Sequence, residues 1–140
     1  MQKNEALRGL RILLVEDDVL IAMDIEDLLL DQGCAVVGPF ARVDDASRAA
    51  AAHELDGAIL DLNLQGALSF PVMDVLKERE IPFIVCSGYV ELPQLREKLM
   101  DVPKLGKPSD HRMLVETMAF HFAAQRTTTS NSTPDQIGFA

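Results

Sequence analysis

Five short apolar runs constrain the fold of this chain more than any other feature of its sequence. They cover residues 11–15, 34–37, 57–60, 82–86 and 102–105. Most are continuously apolar rather than alternating, which is typical of parallel strands buried on both faces. Because helical segments separate them and parallel crossovers are right-handed, we expect an α/β fold, a doubly wound parallel five-stranded sheet in three layers.

Amphipathic segments between these runs supply the predicted helices. Apolar residues recur at helical spacing after residue 18, and Gly33 ends that first helix. Asp44 or Asp45 can cap the second helix, and Ser109 or Asp110 can cap the last one. We predict the five helices at residues 19–32, 46–53, 72–80, 92–100 and 110–125.

The length fits one domain with a short extension at each end. Residues 1–10 read as a polar N-terminal lead-in, residues 11–125 as the domain and residues 126–140 as a mobile C-terminal tail rich in Thr and Ser. Cys34 and Cys86 lie in apolar runs and are expected to be buried free thiols.

The charge and hydropathy of the chain exclude some classes of partner. Thirteen basic residues against 22 acidic ones leave a formal charge of −9, which argues against a nucleic-acid partner. No run approaches the roughly 18 apolar residues of a membrane span, and the first residues lack the apolar core of a signal peptide. We therefore expect a soluble, cytoplasmic protein without a membrane partner.

Polar residues follow four of the five predicted strands, and the carboxyl ends of parallel strands share one edge of a sheet. Several carboxylates repel one another there unless a cation lies between them, and a few oxygen ligands suit Mg²⁺. The strand ends carry Glu16, Asp17 and Asp18, then Asp61, Ser87 and Lys107. The expected Mg²⁺ ligands are the carboxylates of Asp17, Asp18 and Asp61 and the backbone carbonyl of Asn63.

Asp61 is the candidate for covalent chemistry, since a carboxylate can attack phosphorus and become an aspartyl phosphate. Such a transfer depends mainly on placement and charge neutralisation. Lys107 would pair with one phosphoryl oxygen, and the Ser87 hydroxyl would donate to another. A single acid at a strand end is usually a cap or a turn residue, so the prediction rests on the joint order of acids, hydroxyl and lysine.

The motifs at these positions resemble those of the receiver domain of two-component response regulators. They are Leu-Leu-Val-Glu-Asp-Asp at 13–18, Leu-Asp-Leu-Asn at 60–63, Cys-Ser-Gly at 86–88 and Lys-Pro at 107–108. The resemblance covers residues 10–125 and implies a (βα)5 flavodoxin-like fold. It also implies that a sensor histidine kinase or phosphotransferase phosphorylates Asp61, with Mg²⁺ bound directly by Asp18 and Asp61 and partly through water by Asp17.

Three departures from this family concern the loop and the response to phosphorylation. The loop after Asp61 usually carries a Met-Pro pair and a later Gly, whereas here it reads Asn-Leu-Gln-Gly at 63–66. Lys104 stands where the family normally has a switch aromatic. Residues 82–89 resemble in part the motif of the FAT-GUY group of stand-alone receivers, which also lacks that aromatic. Gly88 and Tyr89 are expected to reorder with the helix after them. Tyr89 either partly replaces the aromatic or lies half-buried against the fifth strand.

Three functions stay open on the sequence alone. The first is a single-domain response regulator, not an enzyme, which signals through an unidentified protein target or drains phosphoryl groups, as a monomer or weak dimer. Its kinase-docking face would lie around Leu20, Met23 and Asp27. The second is a phosphorylation-independent adaptor. The third is a Mg²⁺-dependent phosphatase of the haloacid-dehalogenase type, against which Asn63 stands where such enzymes need a second Asp.

Overall fold

The computed structural model describes residues 4–87, 97–107 and 110–123 of the chain. The strands are β1 (Arg11–Val15), β2 (Ala35–Phe40), β3 (Gly57–Asp61), β4 (Asn63–Leu64), β5 (Ala67–Leu68), β6 (Phe83–Ser87) and β7 (Lys104–Gly106). The helices are α1 (Val19–Asp31), α2 (Val43–Ala52), α3 (Phe70–Glu78) and α4 (His111–Met118). A 3-10 turn at Glu5–Leu7 precedes β1, and a π-helical turn at Ala119–Ala123 continues α4.

Five of the strands form one parallel sheet in the order β2-β1-β3-β6-β7. This order confirms the predicted flavodoxin-like, doubly wound α/β fold. The direction of winding reverses between β1 and β3, and sheets of this kind place their ligands beyond the carboxyl ends of the strands at such a point. Asp61 is the last residue of β3 and lies there.

Two apolar layers hold the helices against the sheet. Because successive side chains of a strand point to opposite faces, Leu13 and Leu60 pack with α2 and α3. Leu14 and Ile59 pack with α1 and α4 on the other face. Both faces of β3 and β6 are therefore covered, and every residue of these two strands is buried. This double burial accounts for the continuous apolar runs in the sequence.

The packed unit begins before β1. Leu7 and Leu10 belong to the lead-in that the sequence predicts to be polar, yet both are fully buried in the layer of α1 and α4. The Asn4 amide donates to the side-chain oxygen of Gln32 over 2.7 Å, and the Cys34 thiol donates to the Leu7 carbonyl over 3.4 Å. The lead-in thus closes the amino edge of the sheet.

Element boundaries differ from the prediction at β2 and α2. The sequence predicts that β2 ends before Gly38, but the strand runs on through this residue to Phe40. Gly38 has a φ of +114°, and a Cβ there would lie 2.6 Å from the Leu14 carbonyl, so only glycine fits. α2 begins at Val43 without a side-chain cap, one residue ahead of Asp44.

Several sequence predictions fall outside the described residues. They are the tail at 126–140, residues Gly88 and Tyr89, and most of the helix at 92–100. Within the described parts of the chain, no helix combines the length and the apolar character that a membrane span requires.

Candidate functional site

The carboxyl edge of the sheet buries three polar side chains beside one ammonium group. Glu16 is 3% exposed and Asp61 is 5% exposed, and Ser87 is buried at the end of β6. The Lys107 Nζ lies 2.8 Å from Asp61 Oδ2 and 2.9 Å from Glu16 Oε1. The structure therefore brings three of the predicted residues, Asp61, Ser87 and Lys107, to one edge of the sheet.

Burial and the hydrogen bonds of the cluster have opposite effects on the pKa values of Glu16 and Lys107. Burial raises the pKa of Glu16 to about 7, although the Asp18 amide and Lys107 both donate hydrogen bonds to its carboxylate. Burial alone would lower the pKa of Lys107, but its hydrogen bonds to Asp61 and Glu16 outweigh that effect and raise the pKa. Lys107 therefore stays charged between the two carboxylates at neutral pH.

Carboxylate oxygens of Glu16, Asp17 and Asp61 lie within 4.8 Å of one another. Sequence reasoning placed Glu16 at this strand end but left it out of the metal ligands, and it made Asp18 a direct ligand instead. In the structure Asp18 is the N-cap of α1, where its Oδ1 accepts from the amides of Leu20 at 3.0 Å and Ile21 at 3.2 Å. The helix starts one residue later, so its first turn engages this carboxylate. The geometry favours Glu16 over Asp18 as a member of the acidic cluster.

The chain after Asp61 forms a β-hairpin, where the sequence predicts only a loop. β4 and β5 pair across a two-residue turn in which Gln65 has φ +54° and Gly66 has φ +93°. Positive φ at both central residues is the signature of a type I′ turn, whose twist matches a tight hairpin. The Asn63 side chain accepts from the Gly66 amide over 2.7 Å and so closes the turn.

The backbone of Asn63 is turned away from its partner strand. Leu64 and Ala67 flank the two-residue turn and are the hydrogen-bonded pair next to it. At the base of the hairpin the Ser69 amide donates to the Leu62 carbonyl over 2.9 Å, while the Leu62 amide donates to the Cys86 carbonyl over 3.3 Å. Opposed residues alternate along an antiparallel ladder, which makes Asn63 and Leu68 a non-hydrogen-bonded pair. The Asn63 amide indeed bonds Asp61 Oδ1 over 3.2 Å instead. The ladder thus leaves the Asn63 carbonyl available as an oxygen ligand.

Lys104 lies at the start of β7, three residues before Lys107. Its ammonium donates to the carbonyls of Leu99 at 2.5 Å and Val102 at 2.8 Å. These carbonyls belong to the segment that leads into β7, so the side chain is committed to the backbone there rather than to the acidic cluster. The position that normally carries a switch aromatic therefore holds a backbone-binding cation.

Ser69 is a residue near the site that sequence reasoning missed. It is fully buried, and its hydroxyl donates to the main-chain carbonyl of Asp61 over 2.8 Å. A serine ahead of a Phe-Pro helix start signals an N-cap and nothing more. The place of Glu16 in the cluster follows from the start of α1, because the cap at Asp18 leaves the two preceding acids for the pocket.

The donor set of the cluster fits a divalent metal ion. Three carboxylates and a backbone carbonyl are hard oxygen ligands, and Mg²⁺ typically takes one or two carboxylates together with waters and phosphate oxygens. The ammonium of Lys107 bonds Glu16 and Asp61. The Asp17 carboxylate is therefore the member of the cluster that is free of Lys107 and could bind the metal ion.

Residues 12–119 match the family model of the response regulator receiver domain. This stretch is most of the chain, so the chain belongs to the receiver domain family of two-component systems, as the sequence motifs predicted. No curated protein sequence matches the chain significantly.

Solved structures with the same fold include several receiver domains. The response regulator PhyR from Brucella abortus superposes with a TM-score of 0.74 at 23% identity over 91% of this chain and 54% of that one. The chain thus spans about half of PhyR. The receiver domain of sensor histidine kinase PA1611 from Pseudomonas aeruginosa, solved with magnesium in its active-site cleft, gives 0.72 at 22% identity over 83% and 98%. A CheY-like receiver domain protein from Methanospirillum hungatei gives 0.70 at 23% identity over 79% and 90%.

Proposed function

We propose that this receiver domain accepts a phosphoryl group on Asp61 from a histidine kinase or a phosphotransferase. The observation that carries the proposal is the ammonium of Lys107, 2.8 Å from Asp61 Oδ2 and in contact with two of the three carboxylates of the acidic cluster. A buried carboxylate at a strand end is thereby flanked by one fixed cation and by a set of oxygen donors suited to a second one. Phosphoryl transfer needs this arrangement, because charge must be neutralised on several phosphoryl oxygens at once.

In the proposed step a carboxylate oxygen of Asp61 forms a new bond to phosphorus. The bond between phosphorus and the donor's imidazole nitrogen breaks, and its electron pair leaves with that nitrogen, which takes up a proton. Lys107 then pairs with one phosphoryl oxygen, and the hydroxyl of Ser87, buried on the neighbouring strand, donates to another. The Asn63 amide, 3.2 Å from Asp61 Oδ1, holds the carboxylate in place for the attack.

We place the Mg²⁺ of this site on Glu16, Asp17, Asp61 and the carbonyl of Asn63. This set replaces Asp18 of the sequence-based prediction with Glu16, because Asp18 caps α1. Bound there, the metal would neutralise charge on the phosphoryl group. Glu16 also contacts Lys107, so it would link the two cationic sides of the pocket.

The docking surface for the phosphoryl donor is proposed to be α1. Its exposed face carries Val19, Leu20 and Met23, which are 68%, 77% and 54% exposed. This face starts directly after the acidic residues, so a donor histidine bound to it would approach Asp61. A Leu20→Glu substitution should therefore slow transfer from a kinase and leave modification by acetyl phosphate unchanged.

Signalling is proposed to run through a protein partner or through loss of the phosphoryl group, in the cytoplasm. A new negative charge at Asp61 attracts the Ser87 hydroxyl and the Lys107 ammonium. Ser87 lies on β6, and Lys107 lies next to β7. β7 begins at Lys104, whose ammonium binds two carbonyls of the preceding segment. A response that passes through this segment would involve a polar contact in place of an aromatic side chain.

Modification of Asp61 is the direct test. The purified protein is incubated with Mg²⁺ and acetyl phosphate, and intact mass together with peptide mapping locates any phosphoryl group. We expect one group on Asp61, none on an Asp61→Asn variant and a wild-type result for Asp74→Asn, which changes an exposed aspartate of α3. An unmodified wild type, or equal modification of Asp61→Asn, would overturn the proposal. Sustained turnover of a phosphomonoester would favour a phosphatase instead.

A further inference from the structure

Ser69 contacts the two peptide units that follow the proposed phosphoacceptor. Its hydroxyl is 2.8 Å from the Asp61 carbonyl and 3.3 Å from the Leu62 carbonyl. Its amide donates to the same Leu62 carbonyl over 2.9 Å. One fully buried residue therefore fixes the direction in which the chain leaves β3.

This use of the hydroxyl is unusual for the position that Ser69 occupies. Ser69 is the N-cap of α3, where a serine oxygen normally accepts from an amide of the first helical turn. Here the side chain makes no such capping bond and donates backward to β3 instead. A helix-capping role therefore does not account for the buried hydroxyl.

The contacts of Ser69 reach the site through the hairpin. The Ser69 amide bonds the Leu62 carbonyl at its base, and the register of the hairpin makes the pair above it, Asn63 and Leu68, a non-hydrogen-bonded one. A shift of one residue would reverse that alternation and turn the Asn63 carbonyl into the ladder. It would also remove the Asn63 amide from Asp61 Oδ1.

We propose that Ser69 is a positioning residue for the phosphoacceptor site, and this inference rests on the proposed function. Ser69 anchors the base of the hairpin to the main chain of Asp61. It thereby holds the Asn63 carbonyl toward the acidic cluster and the Asn63 amide on the Asp61 carboxylate. The Ser69 hydroxyl donates to backbone carbonyls rather than to the carboxylates, so it acts through the backbone.

The test compares Ser69→Ala with Ser69→Thr, which keeps the hydroxyl, and with Ser47→Ala. Ser47 is a matched control, because its Oγ is also buried, lies on α2 and has no hydrogen-bond partner among the described residues. Three quantities are measured: the Mg²⁺ dissociation constant, the initial rate with acetyl phosphate, and amide hydrogen exchange of residues 62–69 in the metal-free protein.

We expect Ser69→Ala to weaken Mg²⁺ binding about tenfold, the usual effect of losing a residue that orients a ligand. Its rate should fall at low Mg²⁺ and largely recover at saturating Mg²⁺, and exchange should rise in the hairpin without metal. Ser69→Thr should regain much of the affinity, and Ser47→Ala should match the wild type in all three measurements.

The outcomes separate this inference from the proposed function. A folded Ser69→Ala variant with wild-type Mg²⁺ affinity and wild-type hairpin exchange, beside an active wild type, would overturn the positioning role alone. Equal losses in Ser69→Ala and Ser47→Ala would overturn it as well, since a general weakening of the core would then explain both. A wild type that neither binds Mg²⁺ nor accepts a phosphoryl group would overturn the proposed function and this inference together.

Discussion

The two edges of the main sheet are built from different chemistry. At the carboxyl edge Glu16, Asp61 and Ser87 are buried together beside Lys107. At the amino edge the lead-in and the π-helical turn after α4 bury apolar side chains, and these are Leu7, Leu10 and Phe122, each fully buried. One edge thus concentrates charge, whereas the other excludes water.

This difference separates stability from chemistry within a single sheet. Burying carboxylates costs free energy that only partners such as Lys107 can offset. The apolar closure of the opposite edge contributes stability without entering the site. Substitutions at the amino edge should therefore change the free energy of unfolding, and substitutions at the carboxyl edge should change the rate of phosphorylation.

The largest effect is expected where Phe122 meets Gly57. A Cβ on Gly57 would lie 2.6 Å from the ring, so the two residues are packed in direct contact. Replacing Phe122 with Ala should lower the free energy of unfolding by about 3–5 kcal/mol, measured by urea denaturation. Phe122→Leu should lose less stability, so it provides a folded variant at this position.

A double-mutant cycle sharpens this prediction. Gly57→Ala alone should cost about 1–3 kcal/mol through overpacking, and much of that cost should vanish when Phe122 is already Ala. The phosphorylation rate of folded Phe122→Leu should equal that of the wild type. A slow but stable variant would instead show that the two edges are coupled.

Removal of the ammonium at the carboxyl edge is the next largest effect. Lys107→Met leaves Glu16 and Asp61 without the cation that bonds both. The rate with acetyl phosphate at saturating Mg²⁺ should fall about 100-fold, which corresponds to about 2.7 kcal/mol of transition-state stabilisation. Lys104→Met, three residues earlier in the chain, is the control and should keep the wild-type rate. Equal rates in the two variants would refute the assignment of Lys107.

Much of this division could be predicted from the sequence, because burial on both faces leaves a direct trace in composition. The continuous apolar runs of β3 and β6 predicted a parallel sheet. The predicted sheet in turn placed Asp61, Ser87 and Lys107 at one edge. Their roles in phosphorylation and the metal ligands stay predictions. What topology alone cannot give is the direction of each side chain at a strand end.

Three details lay beyond the sequence for physical reasons. Three successive acids carry no periodicity, so only the start of α1 decides that Asp18 caps the helix and Glu16 faces the pocket. Strands of two residues are too short to show alternation, which hid the hairpin around Gln65 and Gly66. The polar appearance of the lead-in concealed Leu7, whose burial depends on tertiary packing.

Cys34, at the amino edge, should make the stability of the protein depend on pH in the alkaline range. Burial raises the pKa of Cys34 from 9.0 to about 11, with a smaller contribution from Asp56. Below pH 9 the thiol is neutral in both states, and between pH 9 and 11 it ionises only in the unfolded chain. Stability should therefore fall as pH rises, by at most about 1.4 kcal/mol per pH unit from this group.

Comparison with a Cys34→Ala variant isolates that contribution, because other groups also titrate at high pH. The variant will be less stable at every pH, but its stability should decline less steeply between pH 9 and 11. Parallel curves for the two proteins would show that Cys34 ionises equally well in the folded state.

The smallest effect is expected at Lys104. It tests whether Lys104 contributes only to stability while Lys107, three residues later, contributes to phosphorylation. Its ammonium donates to the carbonyls of Leu99 and Val102, but the side chain is largely exposed. Water can replace those bonds, so Lys104→Met should cost only about 0.5–1 kcal/mol in urea denaturation. Amide exchange at residues 97–102 should rise, because the cation holds that segment. A loss of phosphorylation rate in this variant would mean that Lys104 serves the pocket, and the distinction between Lys104 and Lys107 would fail.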